Sequence, residues 1–314
     1  MDESKIHDLV TVGAGPAALS AAVYTTREDI ETLLLEKGAI GGLAAVTDWI
    51  DNYPGFRKGI SGMDLAAELE AQAERFGAKI DFAEVQGISD AGRIKKIQTS
   101  NGEIAAKAVL IATGTDYKKV GVPGEAAYYG RGVHYCATCD GAFYRDKRLV
   151  VIGGGNSGVQ EALFLTRFAT HIDLLVRSTV KASEVLQHEL AKASDKITVH
   201  LDTVTDEIVG ENNKVVKVLA TKGGKKTEFE TDGVFVFVGL TPNTDFLKNS
   251  NIELDERNFV KTDATLQTNM PGVFCAGDVR SGATMQIATA VGEGASAALQ
   301  IRHYLEEQAR SEEQ

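Results

Sequence analysis

The chain has 314 residues, 43% of them hydrophobic, and a formal net charge of −11. That length suggests about two domains and is ample to bury a core without cross-links, while the acidic balance argues against nucleic acid and anionic membrane as partners. No apolar run approaches the roughly 18 residues that span a bilayer. The acidic start MDESKIHDLV reads as the lead into a strand rather than as a signal peptide, and three cysteines do not make a secreted disulfide scaffold, so the expected compartment is the cytoplasm.

KIHDLVTVGAGPAALSAAVYTTRE reads as strand, glycine turn and helix, and ETLLLEKG as a second strand ending at Glu36. AAKAVLIATG (105–114) is a short apolar strand closing this unit. About 140 residues after the first opening, KRLVVIGGGNSGVQEALFLTRFATHIDLLVRS repeats the same order of elements, and TDGVFVFVG (231–239) closes the second unit. LTPNTDFL is then a turn, TNMPGVFCAGDV (268–279) another buried strand, and TMQIATAVGEGASAALQIRHYLEEQ a helix with a frayed polar tail, ARSEEQ. The predicted fold is α/β: two Rossmann-like dinucleotide-binding domains of the three-layer ββα type, one inserted in the other. Residues 1–116 with 246–314 form the discontinuous domain and 117–245 the insert. The charge agrees with this division, since 117–245 is neutral and the flanks carry the whole −11. Two crossing segments make a natural hinge.

GAGPAA places Gly13 at the tight turn, Gly15 where backbone must approach a pyrophosphate, and Ala18 where helix meets strand, with the helix N-terminus facing the phosphates. Glu36 stands at the strand end, where a carboxylate accepts from ribose hydroxyls. Gly277 and Asp278 end a distant strand. An acid there suits a long flavin dinucleotide lying across the domain, and equally caps a helix. In the insert, GGGNSG supplies Gly153, Gly155, Asn156, Ser157 and Gly158. The next strand ends in Val176 and Arg177, so the carboxylate clamp for an NAD ribose is missing. Arg177 and Lys181 could hold a 2′-phosphate or be two solvated basic residues.

Cys136 and Cys139 lie in HYCATCDGAF. Zinc would need two more ligands. Cys275 sits in an apolar strand and no second ligand pair follows, so no metal is expected. A redox pair needs one thiol to attack and one to resolve, which this spacing supplies, and Asp140 follows at once to move protons.

GAGPAALSAA, GGLAAVTDWIDNYPGF, CATCDGAFY, GGGNSGVQEA and GVFCAGDV, in this order, make the chain resemble the low-molecular-weight thioredoxin reductases over almost its whole length. The resemblance implies a homodimer with FAD in the discontinuous domain. It places Gly13, Gly15, Pro16, Ala17, Glu36, Gly41, Gly42, Leu43, Asn52, Thr113, Gly114, Gly277, Asp278, Gln286, Ile287 and Ala288 at the cofactor. It implies that Cys139 faces the flavin, that Cys136 attacks the partner's disulfide, that Asp140 is the acid–base group, and that the insert swings between flavin and a thioredoxin-like protein.

The sequence departs from that family where a nicotinamide nucleotide would bind. The family's His-Arg-Arg, followed four positions on by Arg, here reads Val176, Arg177, Ser178 and Ala182. Each lost charge-assisted contact costs about 1.5–3 kcal/mol, so three losses lower NADPH affinity by several powers of ten. The family's GGQL reads GGLA at Gly41, and its RQA reads Met285, Gln286 and Ile287. The expected function is a flavin-dependent disulfide reductase acting on thioredoxin or a similar dithiol protein. NADPH is left open as donor, with ferredoxin another candidate. The alternatives are a dithiol oxidase using oxygen, a conventional NADPH-dependent enzyme and a non-catalytic flavin-binding protein.

Overall fold

The computed structural model describes residues 5–47, 50 and 52–312, the side chains of Thr138, Cys139 and Glu312 excepted. The chain divides into two compact units, Met1–Asp116 with Thr241–Gln314, and Tyr117–Leu240.

The first unit begins β1 (Ile6–Val12), α1 (Pro16–Thr26), β2 (Thr32–Glu36), α2 (Gly42–Ala45), α3 (Gly62–Arg75), β3 (Lys79–Phe82), β4 (Val85–Ala91), β5 (Ile94–Thr99) and β6 (Gly102–Ile111). The chain leaves through β7 (Thr115–Tyr117). The second unit holds β8 (Val133–His134), α4 (Ala137–Asp140), β9 (Arg148–Ile152), α5 (Asn156–Leu165), β10 (His171–Leu175), α6 (Glu184–Lys192) and β11 (Ile197–His200), then β12 (Thr203–Glu211), β13 (Lys214–Lys222), β14 (Lys225–Glu230) and β15 (Gly233–Val236). After β16 (Leu240–Pro242) the first unit resumes with β17 (Val273–Cys275) and α7 (Ile287–Glu312).

In the first unit β3, β2, β1, β6 and β17 run parallel, and β5 and β4 continue the sheet antiparallel from β6. The strand order reverses between β1 and β6, and a cleft opens at the carboxyl ends of strands at such a point. Leu9–Val12 of β1 and Thr32–Leu35 of β2 are buried, one side of the sheet being covered by α1, α3 and α7 and the other by residues of β4–β6 and of the 247–279 segment. α1 packs on α7 through small residues. A Cβ at Gly294 would lie 2.1 Å from the Ala17 carbonyl oxygen, so only glycine allows that approach.

In the second unit β11, β10, β9, β15 and β8 form an all-parallel sheet, and β12–β13–β14 an antiparallel one. The order again reverses, between β9 and β15. Both units therefore repeat one plan.

Two details differ from the sequence expectation. The chain re-enters the first unit at residue 241, not 246, because β16 pairs with β7, Asn243 N–H donates to Gly114 O at 3.0 Å and Leu247 is buried in that unit's core. ARSEEQ is helical as far as Glu312: a long helix already nucleated propagates at one bond per residue even through polar sequence.

Candidate active site

The first glycine loop leaves β1 at Gly13, whose φ of +99° is a conformation that favours glycine, and a Cβ there would sit 2.6 Å from the Ala112 carbonyl oxygen at the end of β6. Gly15 caps α1 with open space where a Cβ would be. No side chain caps that helix end and no acid stands in its first turn, so its free N–H groups are available to an anion. Ala14 N–H donates to Glu36 Oε2 at 2.8 Å and Gly38 N–H to Glu36 Oε1 at 2.7 Å, which fixes the carboxylate beside the turn. A cleft of about 190 Å³ opens there, lined among others by Gly13, Glu36, Lys37, Val85, Thr113 and Phe246.

The remaining expected residues gather around this loop. Gly41 N–H donates to Ala14 O at 2.8 Å, and a Cβ on Gly42 would lie 3.9 Å from Gly15 Cα. Leu43 follows, half-buried, in α2. Thr113 Oγ1 donates to Asn243 O at 2.7 Å, and Gly114 turns at φ +64°. A Cβ on Gly277 would lie 3.0 Å from that of Ala17, beside Pro16 at the head of α1. Asn52 Nδ2 donates to Gln286 Oε1 at 3.1 Å, joining two segments far apart in the chain, and Gln286 precedes Ile287 and Ala288 at the start of α7. Asp278 accepts no hydrogen bond among the described residues. Burial, with the Glu293 carboxylate nearby, pushes its carboxyl up to about 6. An acceptor held half-buried and unpartnered suits a ligand hydroxyl. Together the tight turn, open helix N-terminus, placed Glu36 and waiting Asp278 fit an extended dinucleotide such as FAD.

The second loop has the same frame. Gly153 has φ +144° and its Cβ would meet the Phe237 carbonyl oxygen at 2.2 Å. Gly158 is as constrained, its Cβ falling 2.3 Å from Gly153 O. Gly155 caps α5, again with no side-chain cap and no acid in the first turn, and Ser157 is exposed beside it. The furnishing differs. Val176 is 2% exposed and packs beneath the loop, where a Cβ on Gly154 would lie 2.5 Å from its Cγ1. Lys181 N–H donates to Gly154 O at 2.7 Å and Ser183 N–H to Asn156 Oδ1 at 2.8 Å, so the loop after β10 is tied across the turn. The Arg177 and Lys181 side chains are exposed and make no ion pair among the described residues.

Cys136 is half-buried and held in a disulfide just before α4. The backbone of Cys139 lies within α4, and its side chain is outside the described residues. Asp140 N–H donates to Cys136 O at 3.2 Å. Cys275 is a free, fully buried thiol, and burial raises its pKa, which makes it inert. No cluster of three or more metal-binding side chains forms among the described residues. The contact that sequence reasoning missed is Asp140 Oδ2 to His134 Nδ1 at 3.1 Å. The pairing of β8 with β15 that turns His134 inward has no local signal in the sequence.

Residues 7–294 match the family model described as pyridine nucleotide-disulphide oxidoreductase. The thioredoxin reductase of Bacillus subtilis is 41% identical over 310 residues, covering 98% of this chain and 97% of that protein. The chain belongs to the low-molecular-weight thioredoxin reductase family. Among solved structures it is similar to the thioredoxin reductase of Streptococcus pyogenes MGAS5005 (41% identity, TM-score 0.80, 96% of this chain and 99% of that one). It is also similar to that of T. acidophilum (39% identity, TM-score 0.75, 96% and 98%). As a member of this family the chain is a flavoprotein oxidoreductase with two Rossmann-like domains. Among the described residues no helix is long and apolar enough to cross a membrane.

Proposed function

We propose that this family member is a disulfide reductase in which FAD is bound by the unit Met1–Asp116 with Thr241–Gln314 and electrons leave through Cys136 and Cys139 to thioredoxin or a similar dithiol protein. Bound flavin would supply a two-electron carrier. Glu36 would hold its adenosine ribose, the α1 N-terminus its pyrophosphate, and Asp278 a hydroxyl of the chain beyond. The disulfide of Cys136 beside Asp140, in a unit with its own glycine loop, is the observation that carries this reading.

NADPH is a poor electron donor in this proposal. Support comes from Val176, buried under Gly154 where a nucleotide clamp would stand, and from the neighbouring Ser178 and Ala182. Reduced ferredoxin or another carrier then fills the role, and the protein works as a cytoplasmic homodimer. The disulfide chemistry is tested by reducing the holoenzyme with dithionite, anaerobically, and adding oxidised thioredoxin. The flavin should reoxidise with one dithiol formed per flavin, and Cys136→Ser should block it. Reoxidation that ignores thioredoxin but follows oxygen with peroxide release would favour the dithiol oxidase instead.

A further inference from the structure

His134 sits between two proton-bearing groups. Its Nδ1 lies 3.1 Å from Asp140 Oδ2 and its Nε2 lies 2.7 Å from the Tyr144 hydroxyl. His134 is 7% exposed and its ring is fixed on three sides. β8 pairs His134 with Phe235 of β15, the two rings stack at 5.2 Å, and Tyr144 meets both edge-on. Gly233 leaves room for Tyr144, since a Cβ there would fall 2.4 Å from the tyrosine ring. The groups facing the imidazole are thus Asp140, Tyr144 and the apolar Phe235. Beyond Tyr144 lies Asp232, whose charge is met by Lys147 at 3.3 Å.

We propose that Tyr144, His134 and Asp140 form a proton relay that serves the Cys136 disulfide, with protons entering at the Tyr144 hydroxyl and leaving at the Asp140 carboxyl. The relay rests on the reading of Asp140 as the acid–base group. Burial and the nearby carboxylates push the Tyr144 phenol up to about 12, so at neutral pH it keeps its proton and can donate to Nε2. A neutral ring that accepts at Nε2 carries its proton at Nδ1, which is the form an Asp140 carboxylate accepts. A dithiol attacking as its monothiolate breaks the enzyme S–S bond and closes its own; its remaining proton goes to one cysteine sulfur, and the other cysteine leaves as a thiolate that needs one proton more. Asp140 passes the Nδ1 proton to that thiolate, Nε2 takes the hydroxyl proton of Tyr144, and the hydroxyl takes one from water. The net change is one proton moved from water to sulfur. Tautomer exchange in the ring then resets the chain.

The test follows thiol formation rather than flavin turnover. The oxidised holoenzyme is mixed with dithiothreitol from pH 5.5 to 8.5, quenched with a maleimide, and the two new labels are counted by intact mass. The rate is expressed per dithiothreitol thiolate. Wild type should hold its rate to about pH 8, because the relay keeps reprotonating Asp140. His134→Asn and Tyr144→Phe should lose rate progressively with pH, by about tenfold or more at pH 8. Asp140→Asn should be slow throughout. Profiles of His134→Asn and Tyr144→Phe that parallel wild type overturn the relay alone. A wild-type rate in Asp140→Asn overturns the acid–base reading beneath it. Nitrogen-15 histidine spectra of the wild-type protein need no variant: the Nδ1–H tautomer of His134 is expected, and an Nε2–H tautomer would overturn the proposal.

Discussion

At the first glycine loop Gly13 turns beneath the carbonyl of Ala112, and at the second Gly153 turns beneath that of Phe237. Each loop opens a helix with no capping side chain and no acid in its first turn. Either frame leaves backbone N–H groups free at a helix N-terminus, where a phosphate can be held. Residues at the end of the second strand do not match. Glu36 is pinned by the N–H groups of Ala14 and Gly38 at the edge of a cleft, whereas Val176 is turned into the core under Gly154. In the proposed reading a pyrophosphate cradle is common to both, while a carboxylate placed to clamp the rest of the nucleotide stands only in the first.

The sharpest way to break this comparison is to add one methyl to each loop. Gly13→Ala combines a left-handed backbone with a 2.6 Å clash and should lower flavin affinity on the order of 100-fold or more, so the protein purifies nearly colourless. Gly153→Ala carries a closer clash still, 2.2 Å from the Phe237 carbonyl oxygen, and should leave the flavin bound while lowering the melting temperature. Loss of flavin from both would mean that the loops do not serve separate units. Next in size, Ser178→Arg restores one charge-assisted contact to the second loop. It should tighten NADPH roughly ten- to hundredfold, a gain of about 1.5–3 kcal/mol, measured as the NADPH dependence of flavin bleaching.

A smaller effect concerns the first unit without its ligand. Asp278 binds its proton more tightly folded than unfolded, so the apoprotein should lose stability as pH rises from about 4 to about 6. Above that window Asp278→Asn should stabilise the apoprotein on the order of 1–3 kcal/mol in denaturant melts, and weaken flavin in the same preparation. If the variant melts like wild type across the whole range, Asp278 is not held unpartnered.

Most of the first site was legible in the sequence because its parts are local. A strand, a glycine turn and a helix follow one another, and the acid comes at the next strand end. The absence of that acid in the second unit was equally legible at Val176. The burial of Val176 was not, since it depends on the close approach that Gly154 allows. Contacts across the fold left no local trace. Asn52 meets Gln286 only because α7 returns to the first unit, and His134 meets Asp140 only because two residues of β8 join the edge of the second sheet. The re-entry point was placed five residues late because Pro242 and Asn243 read as a turn, whereas the chain is already bonded to Gly114 at Asn243.

The central claim is that the second loop keeps its frame without holding NADPH well. The most direct measurement is the rate of flavin bleaching when the holoenzyme is mixed, without oxygen, with NADPH and separately with reduced ferredoxin. The account predicts slow, unsaturated bleaching by NADPH and faster bleaching by the protein donor. Rapid bleaching that saturates at micromolar NADPH would contradict it.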